Sequence, residues 1–234
     1  MKAEASEFPR VEIASENAVM VYLGDAMCPA VAAKVRQLDQ RLREQLGDKL
    51  IDTVPSYASV LVLYQADRIH FEALRKLVSD CGKGLNESVS DDGGRNITLP
   101  VWYGVEAGPD LAMLAEAKGL TPEAVVERHQ ERDYHVYAIG FAPGFAFMGE
   151  VDASIARPRL ATPRRAVPWG AVGIADRQTA VYPAVSPGGW NLIGRCPVRM
   201  FDPASEEPMR VQVGDRVRFK SVSHAEYLEL GGTP

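Results

Sequence analysis

Residues 138–197 read AIGFAPGFAFMGEVDASIARPRLATPRRAVPWGAVGIADRQTAVYPAVSPGGWNLIGRCP, and here the helical periodicity of the earlier chain disappears. Two Gly/Pro/aromatic segments, 140–145 and 186–191, bracket a basic Pro-rich run at 158–168. Glycine opens backbone conformations closed to other residues, proline fixes φ, and aromatic rings supply flat apolar walls, so such segments build shaped loops or tight turns in a β-rich fold. Short apolar runs at 171–175, 179–182, 198–201, 210–213 and 216–219 are separated by turn residues, the last pair by Gly214-Asp215. So many short strands would leave exposed edges, and closure removes them; the pattern predicts an antiparallel β-barrel.

Upstream, helices and strands alternate. Residues 18–23 are a β-branched run ended by Gly24-Asp25. Pro29 opens a helix whose Val31, Val35, Leu38, Leu42 and Leu46 share one face, with Gly47 as its stop. Residues 58–64 form a strand whose nearly continuous apolar character predicts burial on both faces. Asp67 is placed to cap a second helix carrying Phe71, Leu74, Leu77, Val78 and Cys81, closed by Gly82. Strand, helix, strand, helix and one further strand would make a ferredoxin-like α/β sandwich. The polar break at 88–95 sets the boundary, giving an N-terminal domain at 1–92 and a barrel domain at 93–234 within an α+β fold. In the second domain, residues 97–103 read as a strand that Pro100 pushes to an edge or bulge. Pro109 opens a short helix with Leu111 and Leu114 inward, Thr121-Pro122-Glu123 starts another that His129 ends, and residues 134–139 deliver the chain into the first glycine segment.

A net charge of -5 and a pI near 5.5 leave no electrostatic case for nucleic acid or an anionic membrane as partner. Arg157, Arg159, Arg164 and Arg165 nevertheless cluster, which suits a carboxylate or phosphate as well as a solvated loop. Cys28, Cys81 and Cys196 are widely spaced and odd in number, arguing for a reducing compartment; with an acidic N-terminus lacking an apolar run, a cytoplasmic location is expected. The chain has no phosphate loop, no dinucleotide fingerprint, no HExxH and no GxSxG, and His129 and His135 lack neighbours at metal-ligand spacing, so no metal is expected. Cys196 beside Arg195 and Ser186 before Pro-Gly-Gly have no assignable base. The residues therefore read as a binding surface, in which glycine-segment N–H groups with Arg164, Arg165, Gln178, Tyr182 and Arg195 take a small carboxylated or amide-containing molecule.

The strings PSYASVLVLY, LPVWYG, YAIGFAPGFAFMG, RLATPRRAVP, VGIADRQTAVYP and SPGGWNLIGRCP resemble the allophanate hydrolase subunit 1 family, also called the KipI family, over residues 11–219. That resemblance implies a ferredoxin-like domain followed by a cyclophilin-like β-barrel. Bacterial members are mainly the B subunit of an ATP-dependent 5-oxoprolinase, which is inactive alone. With subunits A and C it converts 5-oxoproline, a carboxylated lactam, with ATP and water to glutamate, ADP and phosphate; ATP belongs to the complex, and no nucleotide site is recognisable on this chain. Other members resemble a histidine-kinase inhibitor or the first half of a urea or amide carboxyltransferase. The resemblance implies a functional surface of Gly144, Phe145, Arg164, Arg165, Gln178, Tyr182, Ser186, Gly188, Gly189, Trp190 and Arg195. Within it Arg164 or Arg165 is expected to meet the substrate carboxylate, and Gln178 with Tyr182 the amide. His129 is a candidate general base, its stretch being equally explained by helix termination. Family members read close to VPAGSVGIAGGQTGVYP where this chain has Trp169, Ala171, Asp176-Arg177 and Ala180. Loss of the Gly-Gly pair implies a reshaped turn or a narrowed pocket.

Overall fold

A computed structural model describes residues 8–26, 28–85 and 94–233. The chain divides into two compact units, one up to residue 92 and one from residue 93 onward. The first unit holds β1 (Arg10–Ser15), β2 (Ala18–Tyr22), α1 (Pro29–Leu46), β3 (Leu50–Pro55), β4 (Ser59–Tyr64) and α2 (Phe71–Gly82). Its antiparallel sheet runs in the order β1-β2-β4-β3. Val35, Leu38, Leu42 and Leu46 of α1 and Leu74 and Val78 of α2 bury against Val19, Val21, Val60 and Val62. Each such side chain contributes about 1.5–3 kcal/mol, which holds the helices to the sheet.

Three expectations are corrected in this unit. Two strands add to those expected, β1 ahead of residue 18 and β3 at Leu50–Pro55, so among the described residues the element order is strand, strand, helix, strand, strand, helix. β4 alternates, with Val60, Val62 and Tyr64 buried and Ser59, Leu61 and Leu63 only partly covered, because the helices lie on one face. Asp67 does not cap α2; His70 occupies the N-cap without a side-chain bond. Of the expected break at 88–95, all but Gly94 and Arg95 lie outside the described residues.

The second unit holds β5 (Asn96–Tyr103), α3 (Leu111–Ala117), α4 (Pro122–Gln130), β6 (Asp133–Ile139), β7 (Ala146–Gly149), β8 (Arg164–Val167), β9 (Ala171–Ala175), β10 (Gln178–Val181), β11 (Ser186–Gly188), β12 (Asn191–Arg195), β13 (Arg216–Ser221) and α5 (His224–Glu229). Seven strands close in the order β10-β7-β6-β13-β5-β12-β9, while β8 and β11 pair separately. One ladder departs from the antiparallel expectation, since β13 runs parallel to β5 from Arg216↔Asn96 to Ser221↔Val101. Pro100 consequently sits inside a closed sheet; β12 pairs only with Trp102 and Tyr103, so the proline interrupts no ladder on that side.

Residues 198–201 and 210–213 form no strands; Phe201 makes only an isolated bridge to Met209, just outside the second run. Gly214-Asp215 is not a hairpin turn either. The buried Asp215 carboxylate accepts the Arg95 and Gln212 backbone N–H groups and pairs with the Arg95 guanidinium at 2.9 Å, tying the entry of β13 to the start of β5. The barrel interior is filled by Leu99, Val101, Tyr134, Val136, Met148, Val172, Ile174, Val181, Ile193, Val217 and Phe219, with α3 and α4 adding Leu111, Leu114 and Val125.

Candidate functional site

Strand alternation turns Val172 and Ile174 into the barrel and Ala171 and Ala175 outward. On that outward face Ala171, Ala175, Ala180, Tyr182 and Leu192 join Phe145, Val167 and Trp190 in a second apolar cluster. Small side chains make the floor and rings stand on it. Phe145 is the hub, meeting Phe141, Phe147, Tyr182 and Trp190 edge-on with centroids 4.8–5.6 Å apart. These are favourable quadrupole geometries, worth about 0.5–1.5 kcal/mol per pair beyond burial. Two of the residues that differ from the family pattern, Ala171 and Ala180, are therefore floor residues.

Local backbone chemistry explains the glycines unequally. Gly144 has φ 83, and a methyl there would stand 2.8 Å from the Met200 carbonyl oxygen. A methyl on Gly188 would stand 2.3 Å from the Tyr182 hydroxyl oxygen, whereas one on Gly189 would meet nothing nearer than 3.5 Å. Gly188 thus lets the loop close over Tyr182. Burial pushes the Tyr182 phenol up, opposed by a hydrogen bond from the Trp190 backbone. Phe141 adopts φ 67 and is 66% exposed. A bulky residue in the left-handed region is strained, and strain of this kind concentrates at functional loops.

The two central arginines separate. Arg164 turns inward: its Nη2 donates to Asp110 Oδ1 at 2.6 Å and its Nη1 to the Trp190 carbonyl at 3.4 Å. Asp110 is buried, and its other oxygen accepts the Leu192 N–H at 2.7 Å. Arg164 is therefore committed to a buried carboxylate that bolts the start of α3 to β12. Gly108 permits the approach, since a methyl there would fall 2.1 Å from the Ile193 carbonyl carbon. Arg165 is exposed, as is Arg159, whose guanidinium lies 5.8 Å from the Trp190 ring. Ser186 pairs with Val167 and Arg195 with Ala171, both at the border of the aromatic cluster. Ser186 Oγ and Arg195 Nε are buried without a hydrogen-bond partner. Such orphaned atoms call for water or a ligand.

Gln178 and Tyr182 are not brought together. Both leave one face of β10 and its extension, four residues and so roughly 13 Å apart, and the Tyr182 hydroxyl is held by Trp190 and closed over by Gly188. Asp176-Arg177 forms the β9–β10 turn. Asp176 takes φ 51 in the two-residue β9–β10 turn, both residues are exposed, and Arg177 pairs with Glu150 at 2.6 Å. Trp169 lies beneath the Arg199 guanidinium at 5.7 Å.

His129 is no general base of this surface. It is fully buried in the barrel, with Nδ1 2.8 Å from the Tyr103 hydroxyl, Nε2 2.9 Å from Thr179 Oγ1, and its ring stacked on Phe219 at 4.6 Å. Burial lowers its pKa to about 3, so it stays neutral. Burial likewise pushes the Cys196 thiol up to about 12, despite the neighbouring Arg195. Among the described residues no three His, Cys, Asp or Glu side chains gather to hold a metal, and no helix is long and apolar enough to cross a membrane. The sequence reading missed Asp110 and Phe141. Asp110, following Pro109, had the signature of a helix cap, and nothing in one dimension pairs it with an arginine 54 residues on.

Residues 9–211 match the family described as carboxyltransferase domain, subdomain C and D. The chain belongs to this family. It is 35% identical to the 5-oxoprolinase B subunit of Bacillus subtilis (strain 168), over 93% of this chain and 95% of the relative. It is 36% identical to the Escherichia coli O157:H7 protein of the same name, over 90% and 94%. Among solved structures, TTHA0988 superposes with a TM-score of 0.78 at 36% identity, covering 88% of this chain. This family member spans only 40% of that solved chain, which carries further polypeptide.

Proposed function

We propose that this chain is the B subunit of an ATP-dependent 5-oxoprolinase, active only with subunits A and C. The observation that carries the reading is identity of 35–38%, nearly end to end, to three proteins bearing that name. The family description names carboxyl transfer, but whole-length identity to oxoprolinase subunits outweighs a domain-level description that spans several chemistries.

The aromatic face of the barrel takes the lactam. Phe141 offers exposed ring surface beside the buried Trp190, exposed Arg165 and Arg159 meet the carboxylate, and Ser186 Oγ and Arg195 Nε at its border are polar groups that otherwise have no partner. Arg164 positions this surface through Asp110 and does not touch substrate. With His129 and Cys196 both held neutral, this face binds and orients, and the phosphoryl chemistry that activates the lactam belongs to the assembled complex, where ATP is a substrate. The β1-β2-β4-β3 order supports a ferredoxin-like sandwich whose edge strand comes from the N-terminal side, and the closed barrel supports a cyclophilin-like fold. Three free cysteines favour the cytoplasm. The test is to mix the purified chain with its cognate subunits A and C and follow 5-oxoproline-dependent ATP hydrolysis. A rate requiring all three supports the reading, and no rate from three folded subunits refutes it.

A further inference from the structure

α3, α4 and the ends of β5 and β13 line an open cleft of about 790 Å³. Its apolar lining includes Leu111, Val126 and Val105, the last 76% exposed. Glu123, Glu127 and Glu131 stand along it at four-residue spacing on α4 and its C-cap, all exposed. At 1.5 Å rise per residue this is a row roughly 12 Å long. Among the described residues none of the three is in an ion pair or other charged interaction. Like charges at i, i+4 repel, and Glu131 adds a negative charge at the negative end of the helix dipole. Glu123, in the first turn of α4, is favoured by the dipole. Sequence and fold therefore place three carboxylates without an ion-pair partner among the described residues beside apolar surface.

We propose that this cleft docks a basic amphipathic helix of a cognate subunit, whose Lys or Arg side chains at four-residue spacing meet the three glutamates while its apolar face covers Val105 and Val126. This rests on reading the chain as one subunit of a complex. Charge complementarity selects the occupant: a carboxylated lactam is repelled here, so the cleft is separate from the substrate surface, and a row of this length exceeds what one small cation neutralises. A helix laid along α4 repeats at the same interval of roughly 6 Å, which matches the glutamates one for one. The 40% coverage of the TTHA0988 chain is consistent, since in that protein this fold is joined to more polypeptide.

The test measures binding of the chain to cognate subunits A and C by calorimetry, alongside turnover of the mixture. E123K/E127K/E131K should bind at least about tenfold more weakly, with an unchanged unfolding midpoint because all three positions are exposed. E123Q/E127Q/E131Q should bind with a flatter salt dependence than wild type. Wild-type affinity for the lysine variant overturns the proposal, as does absence of any complex with the wild-type chain. So does a wild-type chain that dimerises in sedimentation and becomes monomeric on charge reversal, which would make a second copy the occupant. A charge-sensitive complex without oxoprolinase turnover would instead refute the functional reading while leaving the docking surface in place.

Discussion

Replacing Arg164 with alanine should destabilise the barrel unit by about 3 kcal/mol, and the number follows from its surroundings. The Asp110 side chain is only 6% exposed and that of Arg164 28%. Truncation leaves a buried carboxylate holding only the Leu192 N–H, and removing one partner of a buried pair costs about 3–5 kcal/mol. Arg164 is already partly solvated, so water can reach the vacated position and the low end applies. Arg164→Lys keeps the charge but loses the fork that reaches both Asp110 and the Trp190 carbonyl, and should fall between. Arg165→Ala, at an exposed position, should change stability by no more than about 0.5 kcal/mol. Urea denaturation reads all three as midpoint shifts at constant slope. In D110N/R164M the second substitution should cost less than about 1 kcal/mol, because the neutral amide introduced by the first leaves no charge stranded. An Arg164→Ala protein within about 0.5 kcal/mol of wild type would refute the assignment of Arg164 to the fold and return it to the substrate contacts.

Other expectations separate residues that look alike in sequence. Gly188→Ala should cost about 1–3 kcal/mol through the clash with Tyr182 while Gly189→Ala stays near neutral, a contrast that thermal or urea unfolding measures directly. His129 has a folded pKa of about 3 against about 6.5 unfolded, so between these values the unfolded state binds the extra proton. Stability should be complete above about pH 6.5 and fall by up to about 1.4 kcal/mol per pH unit below it; denaturation at about pH 5 and about pH 7 should show a smaller difference in His129→Gln. Phe141→Gly relieves a left-handed backbone worth about 1–2 kcal/mol and loses one edge contact of about 0.5–1.5 kcal/mol. Net stability should thus move by less than about 1 kcal/mol, while the KM for 5-oxoproline in the reconstituted enzyme rises severalfold.

Much of the architecture was readable because local signals agreed with tertiary demands. The α1 stripe, the Thr121 cap and the run at 171–175 appear as expected. Elsewhere a long-range partner overrode the local signal. Gly214-Asp215 has hairpin chemistry, but Arg95 claims the Asp215 carboxylate, and β13 pairs in parallel with a strand 120 residues earlier. Pro100 looked like an edge because the sequence cannot show how short the β12 ladder is. At the site, the clustering of Phe145, Tyr182, Gly188 and Trp190 was legible as motif. The division of labour between Arg164 and Arg165 was not, since it depends on which face of a four-residue strand each occupies. His129 carried the residue type of a base but the environment of a core residue.

The central claim is that this barrel presents 5-oxoproline to an enzyme completed by other chains. It is tested most directly by 5-oxoproline-dependent ATP hydrolysis in a mixture of the cognate subunits A and C, with this chain wild type, Arg165→Ala or omitted. Turnover is expected only when the chain is present, with a severalfold higher KM for 5-oxoproline with Arg165→Ala at unchanged stability. Full turnover without the chain, or none with it, would overturn the assignment.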